Sequence, residues 1–137
     1  MPYKFTVSDI IPAEPRAVYD AWLDSKSHSK MTGDKARVSA RVGEEFMAGD
    51  GYITGVNLEL IPGKRIVQSW RSSEFAKGDA DSKITLTLKK IAGGTKLTLL
   101  HTRVPDGQSN YKEGWREWYF EPMKAYFAKA KRARTVK

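Results

Sequence analysis

The chain has 137 residues, with 24 lysines and arginines, 16 aspartates and glutamates, no cysteine, and a formal net charge of +8. We expect one domain over residues 1–137, since this length suits a single core, and the lack of cysteine excludes disulfides, thiolate catalysis and cysteine-bound zinc. There is neither a run of about 18 apolar residues nor a charged-then-apolar start, so we expect no membrane span or signal peptide and a cytoplasmic location.

The basic residues are concentrated after the last acidic residue, Glu121. Six bases follow it, which leaves 18 bases against 16 acids before Lys124. A basic end of this kind is typical of a solvated helix end, where it also complements the negative pole of the helix. We therefore interpret residues 131–137 as a basic tail and expect no specific nucleic-acid site.

The first elements are a predicted strand and a predicted helix. Residues 3–11 alternate apolar and polar side chains, as a half-buried strand does, and Pro12 ends that strand. Glu14 and Pro15 suit the first turn of a helix that continues to Leu23. Residues 25–33, SKSHSKMTG, are polar and predict a loop or a single helical turn, in which His28 is expected to be exposed.

Six strands separated by Gly, Asp and Pro signals are predicted next. They cover residues 37–41, 44–47, 52–61, 65–72, 82–89 and 95–104 and form an antiparallel meander. In residues 65–72, Trp70 shares a face with Ile66 and Gln68, whereas Arg71 lies on the other face. Because an unpaired guanidinium costs more to bury than an indole ring, we expect Trp70 to point inward.

The last predicted element is a long helix over residues 110–131, with an aromatic stripe facing the sheet. The stripe consists of Tyr111, Trp115, Trp118, Tyr119, Pro122, Met123 and Tyr126. Pro122 should bend the helix and change the phase of the stripe, a bend that could accommodate Phe120 and Phe127. The order of elements predicts an α+β domain whose curved sheet wraps around this helix.

The sequence gives little support for a metal site, a phosphate-binding loop or a catalytic nucleophile. Glu113, Glu117 and Glu121 recur at spacing four, which could present carboxylates to a metal, but nearby bases favour a solvated, charge-balanced helix face. The glycine pairs lack the strand-to-helix setting of a phosphate loop, and no serine lies in a nucleophile elbow. We expect no metal site, no cofactor and no catalytic residue.

Four segments together resemble a known family. They are AEPRAVYDAWLDSKSHSKMTG, DGYITGVNLELIPGKRIVQSWR, GGTKLTLLHTRVP and KEGWREWYFEPMKAYF. With the order of elements, they resemble the helix-grip fold of the START-like (SRPBCC) superfamily, in the branch named for the activator of the ninety-kilodalton heat-shock chaperone's ATPase. In the eukaryotic co-chaperone this domain is the C-terminal part, and we expect the N-terminal domain with the main stimulating contacts to be missing here.

The resemblance implies a cavity between the sheet and the long helix that takes a small apolar or amphipathic molecule. We expect Trp70, Trp115 and Tyr119 to line it, with ordinary core packing as the alternative for each ring. His101 shares a strand face with Leu97 and Leu99, where it could anchor a ligand, act as an acid or base, or be a structural histidine at the rim.

Three functions follow from these expectations. The first is a non-catalytic module that binds a small molecule through Trp70, His101, Trp115 and Tyr119. The second, implied by the resemblance, is a co-chaperone-like module that binds a heat-shock chaperone or another protein. The third is an enzyme of the cyclase or hydrolase kind, for which His101 is the best single residue.

Overall fold

The computed structural model describes residues 3–107 and 111–135, and for residues 131–135 the backbone alone. Six antiparallel strands form one curved sheet in the order β1-β6-β5-β4-β3-β2. They are β1 Tyr3–Ile11, β2 Glu45–Ala48, β3 Ile53–Ile61, β4 Arg65–Ser72, β5 Ser82–Ile91 and β6 Gly94–Val104. With a C-terminal helix against this sheet, the α+β helix-grip prediction is confirmed.

The strand predictions hold except for residues 37–41. This segment makes a single β-bridge, between Arg37 and Met47, and no strand. Its backbone is instead bound by side chains: Ser25 Oγ bonds both the N–H and the C=O of Val38, and Asn57 Nδ2 donates to the Ser39 and Arg41 carbonyls at 2.9 Å. Because those polar groups are already satisfied, the described chain has five strands after its first helices, where six were predicted.

The alternation predicted for β5 is confirmed, and it shows where the core lies. Ile84, Leu86 and Leu88 are buried, and Leu97 and Leu99 of β6 lie on the same inner face. A turn of 310 helix, Gly49–Gly51, precedes β3. Helix α1 (Pro15–Trp22) also contributes buried side chains to this core, so the inner face of the sheet is covered by helices.

Residues 25–33 form a second helix, not the loop or single turn predicted for them. Helix α2 spans Ser25–Thr32, with the Asp24 carboxylate accepting from the Ser27 N–H at 2.9 Å at its start. Gly33 ends the helix in the left-handed conformation, with φ +82°. The helix was not predicted because its residues are mostly polar, although the sequence contains both of its capping residues, Asp24 and Gly33.

The C-terminal helix contains a π-helical turn that shifts its buried stripe. Helix α3 (Tyr111–Trp115) leads into the π turn Arg116–Phe120, and helix α4 (Glu121–Thr135) follows. The wider turn adds a residue before Pro122, which cannot donate a backbone hydrogen bond. The buried face therefore moves one position: Phe120 and Phe127 are buried, whereas Trp118, predicted to face inward, is 63% exposed. The expected change of phase is confirmed, but the inward prediction for Trp118 is wrong.

Over residues 3–107 and 111–135, no helix is long and apolar enough to cross a membrane. The side chains of the predicted basic tail, residues 131–137, lie outside the part of the chain described.

Candidate functional site

A cavity of about 560 Å³ opens between the sheet and the C-terminal helix. Its wall is built by four parts of the fold: the end of α2, the turn before β3, the end of β4, and the helix from α3 through the π turn. The lining residues are Thr32, Asp34, Gly49, Tyr52, Ile53, Trp70, Glu74, Tyr111, Gly114, Trp115, Trp118 and Tyr119. Half of them are aromatic.

The inner wall consists of three buried rings, from Trp70, Trp115 and Tyr119. The centroids of Trp70 and Trp115 are 5.7 Å apart, and those of Trp115 and Tyr119 are 4.7 Å apart. Trp70 is 3% exposed and lies on the inner face of β4, so the prediction that it points inward is confirmed. Contacting rings of this kind combine a large apolar surface with polar edges.

His101 lies behind these rings and is not among the residues that line the cavity. Its Nδ1 accepts from Trp115 Nε1 at 3.1 Å, and its Nε2 is 2.8 Å from Ser82 Oγ, whose own proton goes to the Trp70 carbonyl. Nε2 must therefore donate to Ser82. Burial lowers the pKa of His101 to about 3, so the ring is neutral at neutral pH and orients the Trp115 indole. Both of its ring nitrogens have hydrogen-bond partners, so His101 is a structural histidine, which was one of the roles predicted for it. It is fully buried, however, and does not lie at the rim.

His28 is 2% exposed, which corrects the expectation that it faces solvent. Because α2 is a helix with its polar residues outside, His28 faces the core together with Met31. Nδ1 donates to the Trp22 carbonyl at 2.8 Å, so Nε2 accepts from the Tyr119 hydroxyl at 3.3 Å. Burial lowers the pKa of His28, and the neutral ring fixes the direction of the Tyr119 O–H bond.

The phenols of the wall are held in their neutral form. Burial raises the pKa of Tyr119, and the negative charge of Asp34 raises it further. Burial also raises the pKa of Tyr111, to about 12, with Glu74 among the lesser causes acting in the same direction. At neutral pH both side chains act as hydrogen-bonding groups, without charge.

The outer part of the cavity was not predicted from the sequence. Trp118 is 63% exposed and Tyr52 is 37% exposed, and the two carboxylates of the lining, Asp34 and Glu74, lie on exposed residues. Among the described residues, no cluster of three or more His, Asp or Glu could hold a metal ion. The structure thus joins three of the four predicted residues with a rim of aromatic and acidic residues.

Known proteins resemble this chain in sequence. It is 28% identical over 125 residues to the human Activator of 90 kDa heat shock protein ATPase homolog 1, and 29% identical over 117 residues to the Activator of 90 kDa heat shock protein ATPase homolog of Dictyostelium discoideum. The matches cover 90% and 83% of this chain but 37% and 30% of those proteins. The chain therefore spans about a third of the length of the curated relatives it matches.

Solved structures with the same fold are also known. An HSP90 activator from Plasmodium falciparum superimposes with a TM-score of 0.81 at 22% identity, covering 90% of this chain and 94% of that one. A protein from Chromobacterium violaceum gives a TM-score of 0.75 at 28% identity, with coverages of 93% and 98%. The family model described as Activator of Hsp90 ATPase homolog 1-like protein matches residues 12–128. On that match, which takes in β4 and the C-terminal helix as far as residue 128, the chain belongs to the Activator of Hsp90 ATPase homolog 1-like family.

Proposed function

We propose that this protein is a non-catalytic binding module that holds a small amphipathic molecule in the cavity between the sheet and the C-terminal helix. The aromatic lining of an open cavity of about 560 Å³ is the observation that carries this proposal. Pockets for small ligands have volumes of roughly 300–1,000 Å³ and are mostly apolar with a few polar groups. A flat apolar group would fit against Trp70 and Trp115, with its polar end toward the rim.

The side chains of the inner wall are held by hydrogen bonds within the protein. Trp115 is held by His101, and Tyr119 is held by His28, through hydrogen bonds between buried groups. Rings whose orientation is already fixed lose little conformational entropy on binding, which favours affinity. These histidines therefore support a binding role without chemistry of their own.

Gly114 gives independent support, because it keeps the helix wall thin at the cavity. A Cβ added there would meet only Trp118 Cδ1, at 3.9 Å, so alanine would fit. Glycine inside a helix costs about 0.5–1 kcal/mol relative to alanine. A residue that weakens the helix without a steric reason, at a position that lines the cavity, is what a site that needs space would use.

A fluorescence titration with aromatic and acyl compounds tests the proposal. We expect compounds that bind the wild type to bind Gly114→Leu, whose side chain occupies the cavity, and Trp70→Leu, which loses a ring, at least about tenfold more weakly. Gly78→Leu is the matched control, since Gly78 has open space around it and lies outside the cavity.

The proposal would be abandoned if no compound bound the wild type below millimolar concentration. It would also be abandoned if Gly114→Leu bound as tightly as Gly78→Leu, because binding would then occur elsewhere on the surface. Thermal melts of each variant separate loss of binding from loss of folding.

A protein-binding role is the second candidate, favoured by the exposure of Trp118 and by the relatives named as activators of a 90 kDa heat shock protein ATPase. Exposed tryptophan is a frequent anchor of protein interfaces. In this case Trp118→Ala should weaken binding to a purified chaperone of that class, whereas Gly114→Leu should leave it unchanged. The opposite pattern would argue for the cavity.

A further inference from the structure

The cavity lining is opposite in charge to the chain as a whole. The chain carries 24 bases and 16 acids, yet among the residues that the structure describes, the charged ones that line the cavity are two acids, Asp34 and Glu74, with no lysine or arginine. The lining residues come from four separated segments, so this composition does not reflect one acidic run. The site itself is therefore locally acidic within a basic protein.

The field of these acids reaches the cavity wall. The negative charge of Asp34 helps to raise the pKa of Tyr119, on the inner wall, and that of Glu74 helps to raise the pKa of Tyr111. Each acid thus acts on a phenol of the wall, although both carboxylates lie on exposed residues. A positive charge between the rings would be stabilised by the same field.

Two arginines that are adjacent in sequence to lining residues, Arg71 and Arg116, are engaged away from the cavity. Arg71 lies on the opposite face of β4 from Trp70, where it donates to the Ala76 and Asp79 carbonyls and forms an ion pair with Asp81 at 3.1 Å. Arg116 pairs with Glu113 at 2.7 Å on the solvent side of the C-terminal helix. These contacts hold both guanidinium groups away from the cavity lining.

The lining also presents surfaces that attract cations. Half of the lining residues are tryptophan or tyrosine, whose ring faces carry negative quadrupole density, and a desolvated cation placed over such a face is attracted to it. The Tyr119 hydroxyl gives its proton to His28, so toward other groups its oxygen can only accept. A ligand group that reaches this oxygen must donate to it, which an ammonium group can do and a carboxylate cannot.

We propose that the ligand of this cavity is an organic cation, with an ammonium group among the aromatic rings and near the two acids, and an apolar body against Trp70 and Trp115. This inference rests on the proposed function, since it names the chemical class of ligand for the same cavity. It goes further, because an apolar cavity alone would not distinguish cations from anions.

Three probes that each carry a phenyl ring on a short alkyl chain test the charge preference: phenylbutylamine, phenylbutanol and phenylbutyrate, which are cationic, neutral and anionic at neutral pH. Affinities are measured by calorimetry or by amide chemical shifts at low ionic strength. We expect phenylbutylamine to bind at least about tenfold more tightly than phenylbutyrate, with phenylbutanol between them, and this ratio to fall as salt is added.

Two substitutions at the rim locate the source of the preference. Asp34→Asn and Glu74→Gln, both at exposed positions, should each weaken phenylbutylamine about threefold or more and leave phenylbutanol within about twofold. Glu117→Gln, which removes an exposed acid of the C-terminal helix outside the cavity, is the control and should change neither.

The outcomes separate this inference from the proposed function. If the three probes bind with equal affinity, or the anion binds best, and Gly114→Leu still blocks binding, the cavity is a ligand site and the charge inference is overturned. If none of the probes binds and the wider panel also fails, the proposed function falls, and the inference with it. A preference for the cation that survives both rim substitutions unchanged would also overturn it.

Discussion

Acidification should destabilise the fold through His101, because both nitrogens of its buried ring are already engaged. Nδ1 accepts from Trp115, so a second proton there would face another donor. Phe5 and Trp70, with ring centroids 5.3 Å and 4.8 Å from that of His101, keep water away from it, and this burial favours the uncharged ring. The folded state therefore requires the neutral ring.

The sign and size of the effect follow from the pKa of this group in the two states. Its pKa is about 3 in the folded protein, against an ordinary value of 6.5 for histidine. The contribution to stability is complete above the unfolded value and is lost as the pH falls from 6.5 towards 3. At pH 5 the loss amounts to about 2 kcal/mol relative to pH 8. His28, whose pKa burial also lowers, adds to the loss in the same direction.

The measurement is the free energy of unfolding in urea at several values from pH 8 to pH 5, followed by far-ultraviolet circular dichroism. The same series is run on His101→Gln, whose amide can still accept and donate but does not titrate. His28 is present in both proteins, so its contribution cancels in the comparison. We expect the variant to lose about 2 kcal/mol less than the wild type over this range. Equal losses would refute the reasoning, whatever the stability of the variant at pH 8.

Three further predictions concern the C-terminal helix. Trp115→Ala should lower the free energy of unfolding by about 3–5 kcal/mol, since it removes a buried ring and the donor to His101. Trp118→Ala, at a position that is 63% exposed, should change it by less than about 0.5 kcal/mol. Similar losses for the two variants in denaturant melts would mean that the buried face of this helix is misassigned. Gly114→Ala should raise the stability by about 0.5–1 kcal/mol in the same assay, and a lower stability would show that its Cβ lacks the space described. Deletion of residues 131–137 should leave the thermal midpoint nearly unchanged and abolish salt-sensitive binding to DNA or anionic vesicles; binding that persists with the same salt dependence would place a basic site on the body of the domain.

Most of the architecture could be predicted because most helices and strands have a recognisable pattern within their own residues. Alternation in β5 and β6 marks a sheet with one buried face, and that signal does not depend on partners. Residues 37–41 misled the prediction because their backbone is satisfied by side chains distant in the sequence, Ser25 and Asn57. Helix α2 was missed although Asp24 and Gly33, its two caps, are signals that the sequence contains.

The candidate site was predictable only where it lies on regular elements. Trp70 and Trp115 could be predicted from strand and helix periodicity. Tyr52, Asp34 and Glu74 lie in turns and loops, where no periodic pattern indicates which side chains face the cavity. Pro122 marked the place where the helix is irregular, but the number of residues added by the π turn depends on packing against the sheet. That one-residue shift moves Trp118 from the core to the rim of the cavity.

The pairing of β1 with β6 has a consequence for how the sheet is assembled during synthesis. Val7 is opposite Leu99, so β1 emerges from the ribosome long before its partner exists and must wait while β2 to β5 are made. Until then its apolar residues, and the unpaired edge of β5, are open to other chains. Closing the long loop between β1 and β6 is slow. We therefore expect this step to limit the folding rate and to determine how long the newly made chain needs chaperones that prevent aggregation.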